Sequence, residues 1–236
     1  MERLRCAVDG SLPETWNRQR SVCATANVTR LPSNDQAYAT MIDLQLPYRW
    51  ATPDDARPMT ELINFAGEGM PVYLWSRMAD SGESPWAVGR QRARRETGSF
   101  SFLNTVVRQN DDKVVAALIG YPLPDEPEPV DYDDMPPMFV PLQQLEDLAS
   151  GTWYVNVLAS YPECRGKGYG TDLLAIAEQI ATDAGKSGMS IIVSDANHGA
   201  RRLYERSGYT KTAERPMVKD DWENDGENWV LLEKPF

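Results

Sequence analysis

Arg165-Gly166-Lys167-Gly168-Tyr169-Gly170 is the stretch on which the reading of this 236-residue chain turns. It follows an apolar, strand-like run from Trp153 to Ala159. It opens a segment whose Leu173, Leu174, Ile176, Ala177, Ile180 and Ala181 recur at one-face helical spacing, with Gly185 as a C-terminal stop. A glycine-rich strand-to-helix turn is an anion site. Glycine lets the backbone approach a ligand and point several N–H groups one way. The helix N-terminus adds partial positive charge. Arg165 and Lys167 add full charges. The ligand class this implies is a phosphate or pyrophosphate. A dinucleotide fingerprint needs glycine or alanine where Thr171 stands, and a P-loop ending in Gly185-Lys186-Ser187 needs glycine where Ile180 stands. Both nucleotide readings fail on those residues.

Outward from the loop, the pattern alternates between helix and strand. Upstream, Leu46–Ala51 reads as a short strand, and Thr52-Pro53-Asp54-Asp55 as a helix start. Met59, Leu62, Ile63 and Phe65 continue that helix until Gly67-Glu68-Gly69 breaks it; Pro71 opens a second helix. Residues 90–96 read as a basic, solvated helical segment. Runs 100–108 and 113–121 form a predicted β-hairpin around Gln109-Asn110-Asp111-Asp112. A short helix is expected over 141–148. Downstream come a strand at 190–194, a helix at 200–206 ended by Gly208, and two strands at 209–213 and 229–232. No internal repeat is evident. The order is mixed α and β, with one antiparallel hairpin and one βαβ crossover. Residues 1–43 are weakly patterned and are expected to form a poorly ordered arm ahead of one domain over 44–236. Met41 is a candidate biological start.

Composition bounds the function. The net charge is −11. Pro122 to Pro137 holds six acids and no base, and Asp220 to Glu227 holds five acids and no base. The rest of the chain is formally neutral. A pI near 4.7 argues against nucleic acid held on a broad basic face. No apolar run approaches a membrane span, and the first twenty residues lack a signal-peptide core. Cys6, Cys23 and Cys164 are odd in number and widely spaced, and the only histidine is His198. These exclude a disulfide framework, a zinc pattern and a histidine-based triad, so no metal is expected. The expected location is cytoplasmic.

The residues around the loop resemble the Gcn5-related N-acetyltransferase (GNAT) family. Arg165, Gly168 and Gly170 match its acetyl-coenzyme A loop, Gln/Arg-x-x-Gly-x-Gly/Ala. Leu158-Ala159-Ser160-Tyr161-Pro162 looks like the end of its fourth strand. Asn197, Ala200, Leu203, Tyr204, Gly208 and Tyr209 match its Asn-x-x-Ala-x-x-Leu-Tyr-x-x-x-Gly-Phe/Tyr segment. The close match covers about residues 150–210. The resemblance implies an α/β fold with a mixed, mostly antiparallel central sheet, flanked by helices and splayed between strands 4 and 5. It implies acetyl-CoA as cosubstrate and direct attack by an amine.

Its roles carry over residue by residue. The backbone of Leu158, Ala159 and Ser160 would pair with the pantetheine arm. Amides from Arg165 through Gly166, Lys167, Gly168 and Tyr169 to Gly170 would hold the pyrophosphate. The Asn197 amide would contact the cofactor, and Tyr204 would protonate the leaving thiolate as general acid. One departure concerns the base. Many family members carry a glutamate four residues before the position of Ser160; here it is Asn156, and an amide cannot take the proton. Either another carboxylate serves, with Glu68 or an acid from the two acidic segments as candidates, or a water chain does, or the acceptor arrives already neutral. Cys164 looks positional rather than nucleophilic. The expected acceptor is a small, cationic primary amine near the acidic segments. Homodimers are common among resembling proteins. The rival readings are a non-catalytic acyl-CoA-sensing module and a partner-binding protein that uses its acidic loops.

Overall fold

The computed structural model describes residues 42–236. The expected arm over 1–43 therefore lies outside the described residues except for Ile42 and Asp43. Seven strands form one sheet: β1 (Tyr48–Trp50), β2 (Thr105–Asn110), β3 (Lys113–Pro122), β4 (Trp153–Ser160), β5 (Gly188–Ser194), β6 (Thr210–Pro216) and β7 (Asn228–Pro235). Six helices accompany them: α1 (Ala56–Ala66), α2 (Met70–Met78), α3 (Pro85–Ala93), α4 (Val140–Leu148), α5 (Tyr169–Asp183) and α6 (His198–Arg206). The spatial order is β1-β2-β3-β4-β5-β7-β6. Every neighbouring pair is antiparallel except β4 and β5, which run parallel and are joined through α5. This is the mixed, mostly antiparallel sheet that the resemblance implies.

Local chemistry explains the main boundaries. Asp55 accepts from the Thr52 amide at 2.8 Å and donates its own amide to the Thr52 carbonyl, while Arg49 grips its carboxylate with two nitrogens. The first helix is thereby anchored to β1. The β2–β3 turn is shorter than the sequence suggests. Only Asp111 and Asp112 lie outside the ladder, with φ of 46° and 63°. Two successive left-handed residues make the turn whose twist suits a hairpin. Residues 100–104 do not extend β2; Phe102–Asn104 is a 3-10 turn capped by Ser101. The basic segment begins earlier than expected and ends at Ala93, because Pro85 supplies a favoured first helical position.

The sheet buries both faces. Val106, Leu118, Val155, Ile191, Val230 and Leu232 pack with Leu173, Leu174, Ala177 and Ile180 of α5. On the other face, Val107, Ala117, Ile119 and Val157 meet Met59, Leu62 and Ile63 of α1. A third cluster joins Leu145 and Ala149 of α4 to Tyr154, Trp222, Trp229 and Leu231. Each fully buried aliphatic side chain contributes about 1.5–3 kcal/mol by leaving water. Because the faces alternate along a strand, Trp153 and Val155 point toward α5 while Tyr154 points toward α4. No helix among the described residues is long and apolar enough to cross a membrane.

Two irregularities open the centre of the sheet. Pairing between β4 and β5 ends at Tyr154↔Ser190, so residues 155–160 diverge from β5. On its other edge β4 stays paired with β3 as far as Ser160. The β3–β4 register slips between Ile119↔Val157 and Gly120↔Val155, which leaves Asn156 as the extra residue of a bulge. Gly120 is required there: a Cβ would lie 2.5 Å from the Trp153 indole nitrogen and 3.0 Å from the Tyr154 carbonyl.

Candidate active site

The splayed edge of β4 ends in the glycine-rich loop. Tyr161 donates its amide to Val115 and so ends the strand; a 3-10 turn, Pro162–Cys164, then leads into the loop. Gly166 and Gly168 adopt φ of 74° and 86°, and a Cβ on either would meet nothing within 4 Å. Neither glycine is therefore needed for packing; their backbone conformation needs them. Amides of Gly166 to Gly170 donate to no protein acceptor among the described residues. The Arg165 amide does not join this set, because it donates to Pro162 at 3.2 Å. The nest is thus one amide shorter than expected. Arg165 and Lys167 are exposed around it. Gly170 has a different purpose: a Cβ would lie 2.8 Å from Leu203, so its absence lets α5 pack close to α6. The loop is braced from below by the Arg108 guanidinium, 3.6 Å over the Tyr169 ring.

Cys164 is buried in the apolar cluster under α5. Leu158, Ala159 and Ser160 stand on the diverging edge, where one side of the backbone faces the opening.

Tyr204 lies across the opening on α6, with only 4 % of its surface exposed. Its ring centroid is 5.9 Å from that of Tyr209. Burial first, and the Glu68 charge second, push its hydroxyl well above the ordinary phenol range. It therefore holds its proton throughout the neutral range. No group among the described residues hydrogen-bonds it.

Glu68 is brought to the same place from a break 136 positions earlier in the chain. Its backbone is left-handed, with φ of 52°, a conformation that costs a non-glycine residue about 1–2 kcal/mol. Tertiary contacts hold it. One carboxylate oxygen accepts from the Asn197 amide at 2.6 Å and the other from Asn224 at 2.6 Å. The Glu68 carbonyl accepts from the Trp222 indole at 3.2 Å. Asn197 also caps α6 through its amide oxygen, 3.1 Å from the Ala200 nitrogen. Both ends of the Asn197 side chain are thus engaged by the protein, leaving one N–H for a ligand.

The second acidic segment supplies Trp222 and Asn224 to this junction. Trp222 is buried and stacks on Trp229 at 5.9 Å. Asp195 fixes the loop by accepting from the amides of Glu227 and Asn228, at 2.9 and 3.0 Å. Asp220 ties it to α2 through Tyr73 at 2.7 Å and Arg77 at 2.9 Å. Asp221, Glu223, Asp225 and Glu227 remain exposed. The first acidic segment is placed differently: Asp125 pairs with Lys186 beyond the opposite end of β5.

Asn224 and Trp222 were invisible as site residues in sequence, although an asparagine and a tryptophan inside an acidic run are a signal of inward-facing positions. Glu146 of α4 is likewise a charged residue on an apolar helix face. Leu142, Leu145, Glu146 and Ala149 share one helical face, and three of the four are apolar.

The sequence from residue 71 to 209 matches the model of the family described as Acetyltransferase (GNAT) family. An acetyltransferase of known structure superposes with a TM-score of 0.55 at 17% identity, over 80% of this chain and 98% of its own. An N-acetyltransferase from Staphylococcus aureus Mu50 superposes at 0.52 and 15% identity, over 79% and 98%. A GNAT family acetyltransferase from Elizabethkingia anophelis, solved with acetyl-CoA bound, gives 0.42 at 17% identity over 56% and 75%. No curated protein matches the sequence. The matched span begins in α2, passes through the bulged strand and the glycine loop, and ends just after Tyr204; it covers more than half of the sequence, and the chain belongs to the GNAT acetyltransferase family.

Proposed function

We propose that the protein transfers an acetyl group from acetyl-CoA to a small, cationic primary amine by direct attack in a ternary complex. The observation that carries this reading is one opening that joins three things. It holds a nest of unpartnered amides at Gly166–Gly170, an unpaired β4 edge at Leu158–Ser160, and a protonated Tyr204 beside the Glu68 carboxylate. The nest suits a pyrophosphate. The open strand edge suits a pantetheine arm added as a strand. Proximity of amine and thioester supplies most of the rate, and the Tyr204 hydroxyl protonates the thiolate as the C–S bond breaks. Asn197 acts as a positioning residue that orients Glu68.

Glu68 serves here as the counter-charge for the amine. Both of its oxygens already accept a short amide hydrogen bond, so it is fixed as a charge at a defined place. The exposed acids of the second segment lie on the same loop as its partner Asn224 and add an attractive field. Replacing Glu68 with Gln should raise KM for cationic acceptors about 10- to 100-fold, the equivalent of losing one charge-assisted contact of about 1.5–3 kcal/mol. The Kd of acetyl-CoA should stay within about threefold.

The decisive test is an amine screen with a thiol-detecting reagent, alongside calorimetric titration with acetyl-CoA. Thiol release that depends on a cationic amine, and that slows as salt rises, is the expected result. Tight acetyl-CoA binding without release from any amine would favour a sensing module; preference for anionic acceptors would overturn the role of Glu68.

A further inference from the structure

We propose that Glu146 of α4 takes the proton from the attacking amine, directly or through one water, the task for which β4 offers only Asn156. The inference rests on the acetyl-transfer reading above. Glu146 is a half-buried carboxylate on the face of α4 that carries Leu142, Leu145 and Ala149 into the third apolar cluster. That cluster includes Tyr154, the last residue of β4 to pair with β5 before the sheet opens. Tyr121 packs edge-on against Tyr154, with ring centroids 5.6 Å apart. The same cluster holds Trp222, whose indole donates to the Glu68 carbonyl at 3.2 Å. The face of α4 that carries Glu146 therefore packs against the root of the opening, in the cluster that also reaches the Glu68 junction.

Nothing in its surroundings neutralises Glu146. It has no ion pair or hydrogen-bond donor among the described residues. Its own helix presents Asp147, a like charge that is itself held by Tyr132 and Gln143. From β3 and β4 the cluster against its helix face presents the hydroxyl-bearing rings of Tyr121 and Tyr154. From β5 and β7 the same cluster presents Ile192 and Leu231. Of the cations of β6, Arg215 is directed to Gln144, 3.1 Å from its side-chain oxygen, and Lys211 to Glu214. Burial first and Asp147 second push the Glu146 carboxyl up to about 7. A base does best with a pKa near the working pH, whereas Glu68 has both oxygens committed to amide donors.

The step balances as follows. The acceptor ammonium gives one proton to Glu146, and the neutral nitrogen adds to the thioester carbonyl carbon. The C–S bond breaks while Tyr204 gives its proton to sulfur. The phenolate recovers a proton from the nitrogen, which becomes the amide, and Glu146 releases its proton to solvent.

The test is the pH profile of kcat for wild type, Glu146→Gln, Glu146→Asp and Glu68→Gln, with acetyl-CoA Kd measured in parallel. Wild type should lose rate below about pH 7, at the same pH for acceptors of different basicity. Glu146→Gln should lower kcat about 10²-fold or more and abolish that limb, with Kd for acetyl-CoA within threefold. Glu146→Asp should keep the limb at a reduced kcat, and Glu68→Gln should keep it unmoved. Melting gives a second readout. A carboxyl raised on folding contributes stability that is full below about pH 4.5 and lost as pH rises to about 7. The gap in Tm between Glu146→Gln and wild type should therefore widen across that window. An intact acid limb in Glu146→Gln, or a Tm gap that does not change with pH, overturns the inference alone. Absence of turnover in wild type overturns it together with the acetyl-transfer reading.

Discussion

Tyr204→Phe should lower kcat about 10²- to 10³-fold while leaving the Kd of acetyl-CoA within about threefold. The substitution removes one oxygen from a ring that is 4 % exposed and packed 5.9 Å from Tyr209. No protein hydrogen bond is lost with it, because none is made to that hydroxyl among the described residues. The fold should therefore keep its melting temperature within a few degrees. What disappears is a proton donor, and positioned acids of this kind supply about 10²–10⁴-fold. Burial and the Glu68 charge keep the hydroxyl protonated at neutral pH, so it enters the reaction as an acid. Pre-steady-state measurement of thiol release would separate the chemical step from cofactor binding. A kcat within threefold of wild type would remove Tyr204 from the mechanism.

The second large effect belongs to the loop. Gly168→Val should weaken acetyl-CoA binding about 30-fold or more with only a modest fall in stability. At φ of 86° a β-branched residue is strained, and the strain relaxes by turning the peptide planes of the nest. A Cβ at Gly168 would touch nothing within 4 Å, so no packing is disturbed. Misdirecting one or two amides that bind a charged phosphate costs about 2–4 kcal/mol, which gives the stated loss of affinity. Gly185 is the control. It is also left-handed, at φ of 68°, and a Cβ there also meets nothing within 4 Å. It lies at the far end of α5, about 22 Å along a helix of 15 residues. Gly185→Val should lower Tm comparably and leave acetyl-CoA affinity unchanged. Equal losses of affinity in both variants would show that the loop acts through stability, not through its amides.

Legibility in the sequence followed the range of the interactions. The βαβ unit, the hairpin and the glycine loop were all readable because each rests on neighbours within a few residues: apolar spacing on α5, two aspartates at a tight turn, glycines where φ is positive. Errors fell where a local pattern had a competing local solution. Residues 100–104 are apolar enough for a strand, yet Ser101 caps a 3-10 turn and Thr105 donates back to its carbonyl at 2.9 Å. The Arg165 amide was expected in the nest, but the turn over Pro162–Cys164 takes it.

The two acidic segments look alike in sequence and part in space. The second carries Trp222 and Asn224 into the site, while the first is anchored by Asp125 to Lys186 at the opposite end of β5. Composition cannot separate them, since charge is additive and position is not. Asn197 gains a partner for the same reason: the motif places it at the start of α6, and only the fold supplies Glu68.

The sequence by itself determined the order of the main strands and helices, the left-handed glycine loop and the family, because hydrophobic periodicity, glycine backbone freedom and motif spacing are local properties of a chain. Tertiary structure alone decided which carboxylates come together with distant parts of the chain. Glu68 meets Asn197 and Asn224 across 129 and 156 residues, and Leu145, beside Glu146 on α4, joins Tyr154 only through the packing of the helix on the sheet. Such pairs have no periodic signature; burial and the divergence of β4 from β5 bring them together.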